Sequence, residues 1–117
     1  EDLLIAYFRN GALDLSTNKS FNFKIYGPPR PIYLSFQDAN NNEVYAYNSA
    51  LTSNNQWEQF SVDLSSVASQ SITRFVLFLD QSVVNWDTYY LDDFNLSKNV
   101  LISKETEELF NLEFNKK

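Results

Sequence analysis

An all-β fold, specifically an antiparallel β-sandwich, is what this sequence predicts, on three observations. Apolar and polar residues alternate with period two along short runs separated by polar turns. Aromatic residues make up 16% of the chain, mostly Phe and Tyr, which fit pleated sheet surfaces better than helices. No long amphipathic helical pattern occurs before residue 100, so crossover helices of a βαβ fold have no place.

The elements follow in order. Leu3 to Phe8 reads as the first strand, and Leu13-Asp14-Leu15-Ser16 leads into the next. In Phe21 to Tyr26, Phe21, Phe23 and Ile25 alternate with Asn22, Lys24 and Tyr26. Gly27-Pro28-Pro29-Arg30-Pro31 then breaks the chain. Ile32, Leu34 and Phe36 alternate with Tyr33, Ser35 and Gln37, and a polar loop follows from Asp38 to Asn42. Val44 and Ala46 alternate with Glu43, Tyr45 and Tyr47. After the loop Thr52 to Gln56, the run Trp57 to Leu64 turns Phe60, Val62 and Leu64 inward. A Ser-rich connection, Ser65 to Ser71, precedes Ile72 to Ser97, where two strand-like runs flank a polar hinge. With only two Gly in the chain, Asn takes left-handed turn positions within Asn40-Asn41-Asn42 and Asn54-Asn55.

With 117 residues the chain is one domain, long enough for a core without covalent staples. The sandwich is expected over residues 1–99. Residues 100–117 form a tail: a short acidic helix, an extra strand (Leu109 to Phe114) or a linker to a following module. A terminal strand of that kind can pair with a second copy, giving a strand-swapped oligomer. The chain has no Met, even at position 1, and reads as a piece of something longer that packs beside neighbouring domains.

Composition narrows the chemistry. There is no Cys, hence no disulfide framework and no thiolate metal site. There is no His, which removes the usual general base and the commonest transition-metal ligand. A net charge of −6 with scattered basic residues argues against nucleic acid. No apolar run approaches the ~18 residues of a membrane span, so no membrane insertion is expected. A carboxylate-pair hydrolase has no recognisable constellation, and the expected role is non-catalytic.

The hairpin across Asp38 to Asn42 carries a register argument. If the loop closes at Gln37 and Glu43, strict alternation pairs Phe36 with Val44 and Leu34 with Ala46 on the core side. Tyr33, Tyr45 and Tyr47 then share the outer face, with Tyr33 and Tyr47 as direct neighbours. In Thr88 to Leu96 the same alternation groups Asp92 with Phe94 and Leu96, making it the more buried of the adjacent acids Asp92 and Asp93. A buried carboxylate needs a partner.

The succession of Leu13-Asp14-Leu15-Ser16, the run Asn54 to Ser65 (NNQWEQFSVDLS), Ile72 to Asp80 (ITRFVLFLD) and Trp86 to Ser97 (WDTYYLDDFNLS) resembles the jelly-roll carbohydrate-binding modules of the galactose-binding-like type. These accompany secreted glycoside hydrolases. The resemblance spans roughly residues 13 to 97. It implies a jelly-roll sandwich, a polysaccharide or glycan as partner, and an extracellular or cell-surface location. It also implies a structural Ca²⁺ near the strand ends with Asp92 as a ligand, oxygen-rich as calcium requires. The alternative is that Asp92 caps a loop by accepting backbone N–H groups.

Sugars offer apolar C–H faces and many hydroxyls, so a site for them needs flat rings beside groups that donate and accept hydrogen bonds. Tyr33, Tyr45, Tyr47, Gln37, Lys24 and Tyr26 supply that mixture, and Trp86 in the polar hinge adds a ring. Tyrosines also decorate sheets merely because they fit half-buried positions. Trp57, at the start of a strand, reads as a packing residue rather than a platform. The competing function is a structural or adhesion domain of an extracellular protein with no glycan ligand.

Overall fold

A computed structural model describes residues 3–79 and 88–98. Trp86 and the tail 100–117, with its helix, strand and swapping alternatives, lie outside the described residues. Seven strands are described: β1 (Leu3–Tyr7), β2 (Ser20–Gly27), β3 (Arg30–Gln37), β4 (Glu43–Leu51), β5 (Gln56–Asp63), β6 (Arg74–Leu79) and β7 (Tyr90–Ser97). They form two antiparallel sheets, β1-β6-β3-β4 and β5-β2-β7, so the fold is the all-β sandwich that the alternation predicts. A single 3-10 turn at Ser65–Val67 occupies the Ser-rich connection.

The turns follow from their residues. Asn41 and Asn55 adopt positive φ (65° and 52°), the left-handed conformation expected of Asn in these loops. Asp38 organises its loop by accepting the backbone N–H groups of Asn40 (2.9 Å) and Asn42 (3.0 Å). Glu58 does the same for the β4–β5 loop, accepting from the N–H groups of Thr52 (3.0 Å) and Ser53 (2.9 Å). The hydroxyls of Ser16 and Ser65 hold the Asp14 and Asp63 carboxyls below the ordinary carboxylate range, with help from the same residues' N–H groups.

The core lies between the sheets. Phe21, Phe23 and Ile25 of β2 and Phe60 and Val62 of β5 meet Ile32, Leu34 and Phe36 of β3 and Phe75 and Leu77 of β6, all buried. Phe21 is the hub, with ring centroids 5.3 Å from Phe36, 5.5 Å from Phe75, 6.0 Å from Phe23 and 6.1 Å from both Phe8 and Phe94.

Glycine is required at position 27. A Cβ there would fall 2.7 Å from Tyr89 Cε1 and closer still to Cδ1. The Tyr89 hydroxyl in turn donates to Pro28 O at 3.2 Å, and the Arg30 guanidinium sits 5.6 Å from its ring centroid. Gly27→Ala is expected to lower stability by about 1–3 kcal/mol, through displacement of the Tyr89 ring. Urea unfolding reads this directly, and an unchanged midpoint would contradict the close packing of Tyr89 on Gly27.

Two β-bulges reset the phase of the alternation, and each corrects a sequence expectation. The β3–β4 ladder shifts between Phe36 and Gln37: Gln37 faces Glu43 as expected, but Phe36 faces Tyr45, Leu34 faces Tyr47 and Tyr33 faces Asn48. Val44 is the extra residue. One inserted residue turns every later side chain to the other face. Tyr45 and Tyr47 therefore point to the core side and pack partly buried against it, with the Tyr45 ring 6.4 Å from Phe36. Val44 still packs partly buried against the core, as its spacing predicts, and the two half-buried rings beyond the bulge remove further apolar surface from water.

The second bulge lies in β7. Asp92 faces Lys24 and Asn95 faces Asn22, so Asp93 and Phe94 together span Phe23. Asp93 carries the irregularity in a positive φ of 56°. Leu91, Phe94 and Leu96 face inward, whereas Asp92 is exposed rather than buried.

Candidate functional site

The residues expected to form one sugar platform divide among separate places. Tyr33 and Gln37 lie on the outer face of the four-stranded sheet, and Tyr45 and Tyr47 on its inner face. Lys24 and Tyr26 lie on the outer face of the three-stranded sheet. Only within each of these pairs does the expected grouping survive.

On the four-stranded sheet the outward polar groups are occupied with one another. The Tyr33 hydroxyl donates to Glu43, which holds it above the ordinary phenol value, and its ring lies 5.7 Å from that of Phe78. Arg74 donates through Nε to Gln37 Oε1 at 2.7 Å and through a terminal nitrogen to the Tyr7 hydroxyl at 3.1 Å. Gln37 donates to Ser35 Oγ at 3.0 Å.

The outer face of the three-stranded sheet is built differently. Tyr26 on the central strand faces Trp57 on one side and Tyr90 on the other, so three rings form a row across β5, β2 and β7. The Tyr26 ring centroid lies 5.5 Å from Trp57 and 6.0 Å from Tyr90. Trp57 is 50% and Tyr90 57% exposed, a large commitment of aromatic surface to water. Two strand spacings separate the outer members, about 10 Å of backbone.

One side-chain repeat further along the strands, Lys24 faces Gln59 and Asp92. Lys24 Nζ is paired with Asp93 Oδ2 at 3.1 Å. Lys24, Gln59, Asp93 and Asn95 line an open cavity of about 340 Å³ together with Phe23 and Phe94. The next repeat is an amide and hydroxyl network. Asn22 is almost fully buried, donates to Asn95 Oδ1 and Ser97 Oγ at 2.9 Å each, and accepts from the Ser61 hydroxyl. This network ties all three strands together beneath the cavity wall.

Sequence reasoning missed Trp57 and Tyr90. The alternation of Phe60, Val62 and Leu64 already places Trp57 on the opposite face, with Gln59, Ser61 and Asp63. Tyr90 shares its parity with Phe94 and Leu96, and only the bulge at Asp93 separates them.

Asp92, the expected calcium ligand, is exposed. Its Oδ1 accepts the N–H of Asp93 at 2.8 Å, the capping role, and the residue facing it across the ladder is Lys24, an ammonium. Among the described residues no group of three or more Asp and Glu side chains converges on one point.

Comparisons of the chain with protein-family models, characterised proteins and solved structures give no match.

Proposed function

We propose that the chain is a non-catalytic carbohydrate-binding module whose site is the outer face of the three-stranded sheet. The observation that carries this reading is the exposed row Trp57, Tyr26 and Tyr90 beside a cavity walled by Lys24, Gln59, Asp93 and Asn95. Rings stack on sugar C–H faces, and the adjoining polar groups take the hydroxyls. The likeness to jelly-roll carbohydrate-binding modules points the same way. In this reading the module works outside the cell or at its surface. It tethers a larger protein to a polysaccharide by raising its effective concentration there. A few stacking rings give an affinity in the ~µM to mM range, since contact area converts poorly to free energy.

A structural or adhesion role is the second reading. It draws support from Ile5 and Tyr7, which are 43% and 70% exposed on the other sheet and offer a surface to a neighbouring domain.

Affinity electrophoresis through gels containing soluble polysaccharides tests the first reading. Retardation in at least one gel is expected for the wild type, with loss of retardation in Trp57→Ala. Retardation that persists in Trp57→Ala, or none in any gel, would remove the basis for the proposal.

A further inference from the structure

We infer that the Lys24–Asp93 pair is a hydroxyl clamp that selects neutral sugars, holding two adjacent hydroxyls of one residue while its neighbour stacks on the Trp57–Tyr26–Tyr90 row. The inference rests on the functional reading above and adds the class of sugar and the residues that choose it.

The first argument is valence. An ammonium carries three donors and a carboxylate about four acceptor positions, so one mutual bond at 3.1 Å leaves capacity on both partners. A hydroxyl pair matches what remains: one oxygen accepts from Lys24, and the adjacent O–H donates to Asp93. Both side chains remain reachable, at 39% and 56% exposure, and both line the cavity. Gln59 on the same wall adds an amide for a further hydroxyl.

Stability does not account for the pair. An exposed ion pair contributes little to folding. Its geometry nevertheless depends on Asp93 adopting a left-handed φ of 56°, which is unfavourable for a residue with a side chain. The strained backbone is held in place: Asn95 Nδ2 donates to Asp93 O at 2.9 Å, and Asn95 Oδ1 accepts from the buried Asn22 amide at 2.9 Å. The clamp is thus preorganised by the network beneath it, which lowers the entropic cost of binding.

Charge sets the selectivity. Lys24 is neutralised by Asp93 and faces a second carboxylate, Asp92, across the ladder. An acidic sugar would bring its carboxylate toward both, on a chain of net charge −6. Spacing also fits. Lys24 lies two residues from Tyr26 on the same face, ~7 Å along the strand.

Isothermal titration calorimetry with mixed-linkage β-glucan, galactomannan, xylan and polygalacturonate tests this on the wild type, Lys24→Met, Asp93→Asn and Trp57→Ala. Asn tolerates the left-handed backbone, so Asp93→Asn removes charge while keeping the bulge. The expected result is binding of at least one neutral polysaccharide, none of polygalacturonate, and a loss of about tenfold or more in both Lys24→Met and Asp93→Asn. Binding that requires Trp57 but is unchanged in both clamp variants, or polygalacturonate bound as tightly as the neutral chains, would overturn the clamp and leave the aromatic site standing. Binding of no polysaccharide, or binding indifferent to Trp57→Ala, would overturn the clamp together with the reading beneath it. Unfolding curves of the variants that coincide with the wild type exclude a folding defect as the cause of lost binding.

Discussion

Phe21→Ala should be the most damaging single truncation in this chain, with an expected loss of about 3–5 kcal/mol, a large share of the ~5–15 kcal/mol available to a small domain. Phe21 is 3% exposed and sits where both sheets converge. Its ring contacts Phe23 on its own strand, Phe36 and Phe75 on the opposite sheet, Phe94 on β7 and Phe8 after β1. Truncation leaves a cavity ringed by large side chains already packed against one another, which limits collapse into the space. Phe94, 44% exposed on the same cluster, should cost clearly less on truncation. Urea unfolding of the two variants separates them. A Phe21→Ala loss below ~1 kcal/mol would contradict a single core shared by both sheets.

Trp57→Ala is expected to weaken glycan binding by about 1.4–2.8 kcal/mol, roughly 10- to 100-fold, with little change in stability. Its ring is half exposed and its described ring contact is Tyr26 at 5.5 Å, so removal opens no core cavity. Removal does delete the largest flat surface of the row. Where the wild-type affinity is already modest, such a loss takes binding out of measurable range. Tyr7→Ala and Tyr33→Ala, on the outer face of the other sheet, should leave binding intact. Titration calorimetry distinguishes these cases, and equal losses from Trp57→Ala and Tyr7→Ala would place the ligand elsewhere.

The strands were legible because the interior imposes period two on each of them. Phe21, Phe23 and Ile25, then Ile32, Leu34 and Phe36, then Phe60 and Val62 all face inward as their spacing predicts. The Asn turns were legible for a local reason, the tolerance of Asn for left-handed backbone at Asn41 and Asn55. What stayed hidden was the phase beyond each bulge. Nothing in Glu43 to Tyr47 marks Val44 as the inserted residue, and an insertion there sends Tyr45 and Tyr47 to the core side. Nothing in Tyr90 to Leu96 marks Asp93 before its φ is known, yet it decides that Asp92 is exposed and that Tyr90 joins Tyr26 and Trp57. The site is a cross-strand object. Lys24 and Tyr26 were recognisable on one strand, whereas their neighbours come from β5 and β7, whose pairing to β2 the alternation alone does not specify.

Mapping backbone and indole amide shifts by heteronuclear NMR, as a bound neutral oligosaccharide is titrated in, bears most directly on the central claim. The account predicts perturbations centred on Trp57, Tyr26, Tyr90, Lys24, Gln59 and Asp93, with Tyr7, Tyr33 and Arg74 unmoved. Shifts clustered on the outer face of β1, β6 and β3, with the Trp57 indole unchanged, would contradict it.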